Sequence, residues 1–205
     1  MKEDTLHAYY DLAVAPATFD IFAFLYIAEM ERKHLGLPFL ELNIVANDGD
    51  GFRQEIKLDA RLHTLSAKQW RLRHLLLPAG ELLESCVRTN YFPDRNMAEA
   101  DIANSNYVFP GGYALEAPKT DYFESTIAIG LYLGKPYGTL KASAPALERA
   151  ERWISSHCSG RDAVVLTLRN SSVHPLRNNN LEAWVQFARN LASSRFCPVF
   201  VRDTA

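Results

Sequence analysis

The chain has 205 residues, 48% of them hydrophobic and 11% aromatic, with a formal net charge of −2. Those values fit one large globular domain or one and a half, and they argue against a disordered chain. The near-neutral balance argues against a broad electrostatic hold on nucleic acid, and no apolar run reaches the roughly 18 residues that span a bilayer.

Residues 7–14 (HAYYDLAV) read as a buried first strand, ended by Pro16. Thr18 is the expected N-cap of a helix, with Asp20 in its first turn. Ile21, Phe22, Leu25, Ala28 and Leu35 form its apolar stripe, and Gly36 closes it. Residues 39–46 (FLELNIVA) are a second strand, so the chain opens with a βαβ unit. Residues 47–51 (NDGDG) are a strong turn. Ser66 to Gln69 has the pattern of a capping box, opening a helix through Trp70, Leu72 and Leu75 to Leu77 that is checked at Pro78. Residues 87–92 read as a short strand. Residues 94–117 are the least regular stretch, and residues 122–133 are apolar and ambiguous between helix and strand. Residues 146–157 form a helix with Leu147, Ala150, Trp153 and Ile154 on one face.

The last forty-odd residues hold the clearest chemistry. Residues 163–170 (AVVLTLRN) are a strand, followed by a polar loop closing on Arg177, Asn178, Asn179 and Asn180. A helix with Trp184, Phe187, Ala188 and Leu191 on its core face follows, then a strand over 198–204. This second βαβ unit sets Arg169, Asn170 and Arg177 between the carboxyl end of a strand and the amino end of a helix. Open α/β sheets bind anions there, because free helix N–H groups and the dipole favour negative charge. Arg169 can grip a phosphate or carboxylate through two parallel hydrogen bonds, and Arg177 can close on the same anion. Asn178 and Asn180 suit sugar hydroxyls, or serve as helix caps. His174, in the same loop, is the one general-base candidate.

A second candidate is the loop Asp48 to Arg53. Asp48 and Asp50 have the spacing to hold Mg²⁺ or Mn²⁺ beside a diphosphate. Alternatively Gly51 lets the backbone approach a ligand that Arg53 binds, or the run is simply an Asp- and Gly-rich turn. Arg61, Arg71, Arg73 and His74 form a basic cluster that faces solvent, an acidic acceptor or a phospholipid surface. Cys86, Cys158 and Cys197 are odd in number and lack ligand spacing, which fits a reducing compartment and inert buried thiols. No export signal opens the chain, so a cytoplasmic location is expected. The P-loop, the GxGxxG fingerprint and the GxSxG elbow do not occur.

The two ends together resemble glycosyltransferases of the GT-B type, in which two Rossmann-like domains face one another. Strand 8–14, helix 20–35, strand 39–46 and a glycine-containing loop are similar to the opening of the acceptor domain. Residues 164–169, 180–184 and 199–204 are similar to the start of the donor domain. In several such families an Arg just after that strand holds the donor diphosphate, and Arg169 matches it. The resemblance implies an α/β fold with a mostly parallel Rossmann-like sheet and a partial second βαβ domain. The expected division is 1–118, a segment of linker and helices over 119–160, and 161–205. The implied partner is a nucleotide-sugar or other phosphorylated small molecule in a cleft between the domains, without a resident cofactor. The donor domain of that fold runs well beyond two strands, so an inactive or truncated form is part of the expectation. The alternatives are a non-catalytic nucleotide- or protein-binding module that forms homo-oligomers through an open sheet edge, and a metal-dependent enzyme using Asp48 and Asp50.

Overall fold

The computed structural model describes residues 4–54, 64–170, 176, 178–192 and 195–202. The chain divides into two compact units, Met1–Ala142 and Ser143–Ala205. The division falls inside the stretch expected as linker and helices, and α5 (Ala144–His157) belongs to the second unit.

Unit 1 is built on four parallel strands in the order β3-β2-β1-β4: β1 Thr5–Asp11, β2 Phe39–Val45, β3 Cys86–Phe92 and β4 Tyr107–Phe109. The chain steps outward from β1 to β3, then returns to add β4 on the other side of β1. That reversal makes the carboxyl ends of β1 and β4 a topological switch point, the usual ligand crevice of a Rossmann-like sheet. The α/β, mostly parallel architecture read from the sequence is the one observed.

Both faces of β1 are buried, and they differ in chemistry. Leu6, Ala8, Tyr10 and Leu12 join Leu40, Leu42 and Ile44 of β2 in the main apolar core with Phe24 and Leu25 of α1 (Asp20–His34). The opposite face presents Thr5, His7, Tyr9 and Asp11, with Glu41 and Asn43 beside them. There α3 (Arg95–Ala103) supplies Ala98 and the segment after β4 supplies Tyr113, the latter stacked on Tyr9 with ring centroids 4.9 Å apart.

Helix α1 ends as its sequence suggests. Gly36 adopts φ +69°, and the Gly36 and Leu37 N–H groups donate back to the carbonyls of Lys33 and Arg32 at 3.1 and 3.0 Å, a Schellman closure. Its start differs from expectation. Phe19, not Thr18, is the capping position, and the Thr18 hydroxyl donates to the Asp20 carboxylate instead. Likewise α2 (Leu65–Arg71) is capped by Thr64, whose Oγ1 accepts from Ala67 N–H at 3.3 Å, so Ser66 is not the cap. Beyond it the chain runs through a π-helical turn (Leu72–Leu76) into a 3₁₀ segment (Leu77–Leu82), which accommodates Pro78. The irregular stretch contains α3 and β4, and residues 122–133 resolve into α4 (Glu124–Tyr132).

Glu29 of α1 is a buried carboxylate. Arg32 Nε and Nη2 donate to its two oxygens at 2.7 Å each, and the Ser85 hydroxyl donates at 2.7 Å. Burial alone would push its pKa up, but the hydrogen bonds from Arg32 and Ser85 and the charges of Arg32 and Lys33 outweigh it, and the pKa is held below the ordinary 4.5. A carboxyl depressed in the fold stabilises it above the unfolded-state pKa and loses that contribution as pH falls through the folded value. Glu29→Gln is therefore expected to lower stability at pH 7 by about 1–3 kcal/mol. The gap from wild type should narrow below pH 4.5; urea titrations at pH 7 and pH 3 check both.

Unit 2 contains α5, β5 (Asp162–Leu168), α6 (Leu181–Ala192) and β6 (Phe196–Arg202). β5 and β6 pair in parallel through seven residues, so the second βαβ unit is present as read from the sequence. Its helices are less covered than their stripes imply. Trp153 is 45% exposed and Phe187 is 45% exposed, because the sheet has two strands among the described residues and offers little surface to bury them. Among the described residues no helix is long and apolar enough to cross a membrane.

Candidate functional site

In unit 2 the site candidates gather where β5 gives way to α6. Arg169 follows the last residue of β5, and its backbone N–H donates to Asn179 Oδ1 at 2.5 Å while its carbonyl accepts from Asn179 N–H at 3.1 Å. This pair of bonds fixes the arginine's backbone against the entry to α6. Asn180 is the N-cap: its Oδ1 accepts from Ala183 N–H at 3.1 Å, so that oxygen serves the helix rather than a ligand. Asn178 and Asn179 are half-buried and Asn170 is exposed. The Arg169 side chain is half-buried, and its Nε is fully buried with no hydrogen-bond partner among the described residues. A buried guanidinium N–H without an acceptor is costly unless something else supplies one. His174 and Arg177 lie outside the described residues.

In unit 1 the loop Asp48 to Arg53 lies at the carboxyl end of the sheet, as expected for a loop after β2. Its own bonds close it. Asn47 N–H donates to Gly51 O at 3.0 Å, Asn47 Nδ2 donates to Phe52 O at 3.2 Å, and Asp50 Oδ1 accepts from Phe52 N–H at 3.0 Å. Gly51 takes φ +87°, which the turn requires. Arg53 Nη1 donates to Val14 O at 2.8 Å, tying this loop to the one after β1. Arg53 and Asp50 thus hold the loop together, which is the turn reading of the run. Among the described residues no three His, Cys, Asp or Glu side chains come together as a metal site. Asp48 is exposed and contributes to the field at Arg95. Of the basic cluster, Arg73 and His74 are exposed on the helical run, His74 against Trp70 with centroids 4.9 Å apart, and Arg61 lies outside the described residues.

The sequence reading missed the network at the end of β1. Asp11 is fully buried. Arg95 Nη1 and Nη2 donate to its two oxygens at 2.9 Å each, the Tyr113 hydroxyl donates at 2.8 Å, and Ala13 N–H donates at 2.9 Å. Arg95 also reaches Ala46 O at 3.2 Å and Leu115 O at 2.9 Å. The carboxylate thus joins β1, α3 and the segment after β4 at the switch point. Burial, then the neighbouring Asp11 charge, raises the Tyr113 pKa, so the phenol stays a donor. The available signal was an aspartate ending an otherwise buried strand, since such a charge needs a partner.

Four residues earlier on the same strand, His7 is fully buried, and neither ring nitrogen has a hydrogen-bond partner among the described residues. Its Nδ1 lies 3.8 Å from Glu41 Oε2 and 3.7 Å from Asp101 Oδ2, while Asp101 accepts the Tyr9 hydroxyl at 2.8 Å. Lys68 is a further buried cation, donating to Arg53 O at 2.9 Å.

The fold and these sites define an α/β protein with a Rossmann-like parallel sheet in unit 1 and a βαβ unit carrying Arg169 in unit 2. Comparison with protein-family models, curated proteins and solved structures gives no match.

Proposed function

We propose that this chain is a glycosyltransferase-like protein whose second unit takes the diphosphate of a sugar nucleotide at the carboxyl end of β5. One observation carries the reading: Arg169 is fixed by its backbone at the rim of a parallel sheet, beside the amino end of α6, with a buried Nε that has no acceptor among the described residues. A diphosphate would supply that acceptor, and the helix N-terminus would add N–H groups and a favourable dipole. Negative charge grows on the diphosphate as the sugar–phosphate bond breaks, so a fixed guanidinium there stabilises the leaving group. Saturation-transfer NMR with UDP- and GDP-sugars tests the proposal on the full chain. Transfer to nucleoside or sugar protons of at least one donor is expected, and silence with both in a folded sample withdraws the proposal.

A second reading has its own observation. In the two-stranded sheet of unit 2, Val165, Phe200 and Val201 are 59%, 53% and 47% exposed, and β5 and β6 each have one strand neighbour among the described residues. Open edges with apolar side chains pair with other chains. If unit 2 is a pairing module instead, sedimentation velocity will show concentration-dependent association that Val201→Lys abolishes, and no sugar nucleotide will bind.

A further inference from the structure

Unit 2 places two of the three cysteines side by side. Cys158 is the C-cap of α5, after which the chain turns through Ser159 (φ +51°) and Gly160 (φ +77°) into β5. Cys197 lies on β6, in register with Ala163 of β5. Arg161 bridges the two segments. Its Nε donates to Cys158 O at 3.3 Å, and its Nη1 donates to Phe196 O and Ala192 O at 3.4 Å each. Asp162 N–H donates to Arg195 O at 3.1 Å, fixing the same junction. Between these anchors the Cys158 and Cys197 side chains are neighbours, and the two residues are 0% and 8% exposed.

We propose that Cys158 and Cys197 form a redox modification site, a dithiol that closes to an intrachain disulfide by exchange with a small-molecule disulfide. The thiolate of one cysteine, Cys197 being the less enclosed, attacks a sulfur of the oxidant and releases one small thiol. The thiolate of the other then attacks the protein sulfur of the mixed disulfide and releases the second. The two cysteines together lose two electrons and two protons, and the oxidant's disulfide is reduced to two thiols. The new bond joins the end of α5 to β6 and closes a loop of about forty residues that contains Arg169 and α6, which constrains the unfolded chain strongly. The neighbouring Cys197 thiol, and then burial, push the Cys158 thiol above its ordinary 9.0. The Cys158 thiolate is therefore scarce at neutral pH, and the step it takes part in is slow there and faster in alkali.

The test uses the full chain carrying Cys86→Ser, folded, treated with oxidised glutathione at pH 8.5. The expected result is loss of both thiols on Ellman titration in denaturant, without a glutathione adduct by mass. The thermal midpoint should rise by roughly 10 °C, reversed by dithiothreitol. Cys158→Ser and Cys197→Ser in the same background should each abolish that rise. Two free thiols after prolonged treatment, adducts without an intrachain bond, or a rise that survives either serine variant overturns the proposal. If Cys86→Ser does not fold, the wild type serves, with three thiols falling to one.

Discussion

Asp11→Ala is expected to be the most damaging single substitution in unit 1, costing about 3–5 kcal/mol, because it leaves a half-buried guanidinium without its fully buried charge partner. The carboxylate accepts from Arg95 twice, from the Tyr113 hydroxyl and from Ala13 N–H, and all of these sit at the end of a strand whose two faces are covered. Removing it orphans donors on three separate segments at once. A domain holding 5–15 kcal/mol in total has little room for such a loss. Urea unfolding followed by circular dichroism should show the midpoint fall by a third or more. Arg95→Ala should cost a similar amount, and the double variant much less than the sum, because each change removes the same pair. Tyr113→Phe should cost only about 1 kcal/mol, one hydrogen bond to a charged group that keeps its other donors. If Asp11→Ala stays within 1 kcal/mol of wild type, the network is not what joins β1 to α3.

How much of this was legible follows from which forces are local. β1, α1 and β2 were readable because apolar period, Pro16 and Gly36 act over a few residues, and β5–α6–β6 for the same reason. α3 and β4 were not. α3 has nine residues and β4 three, and β4 exists only because Leu6 to Ala8 of β1 lie alongside it, about a hundred residues away in sequence. The polar face of β1 could be suspected from the alternation of Thr5, His7, Tyr9 and Asp11. Its partners Asp101, Arg95 and Tyr113 could not, since no spacing rule links residues so far apart. The cysteines show the same limit: the turn through Ser159 and the β5–β6 register bring Cys158 and Cys197 together, and neither is a short-range signal. Amphipathic stripes were visible in α5 and α6, but a stripe states only that an apolar face exists. Trp153 and Phe187 remain partly exposed because coverage depends on how much sheet stands opposite.

Arg169→Ala is expected to weaken sugar-nucleotide binding by about 100-fold, the equivalent of a lost bidentate charge-assisted contact of 2–3 kcal/mol. The Arg169 Nε has no hydrogen-bond partner among the described residues, so removing the side chain should leave the fold unharmed and the thermal midpoint unchanged within about 2 °C. That combination, large loss of affinity with intact stability, separates a binding arginine from a structural one. Arg169→Lys should recover only part of the affinity, because an ammonium restores the charge but not the planar fork. Raising salt should weaken the wild-type complex more than that of Arg169→Ala, as expected when one ionic contact is gone. Asn180→Ala is the control at the other end of the loop: it removes the cap of α6, should cost about 1 kcal/mol of stability, and should change affinity little. Calorimetric titration with the donor that gives the strongest saturation transfer measures all four chains. Equal affinity in wild type and Arg169→Ala, at equal stability, would show that the diphosphate is held elsewhere and would remove the reason for placing a sugar nucleotide at the carboxyl end of β5.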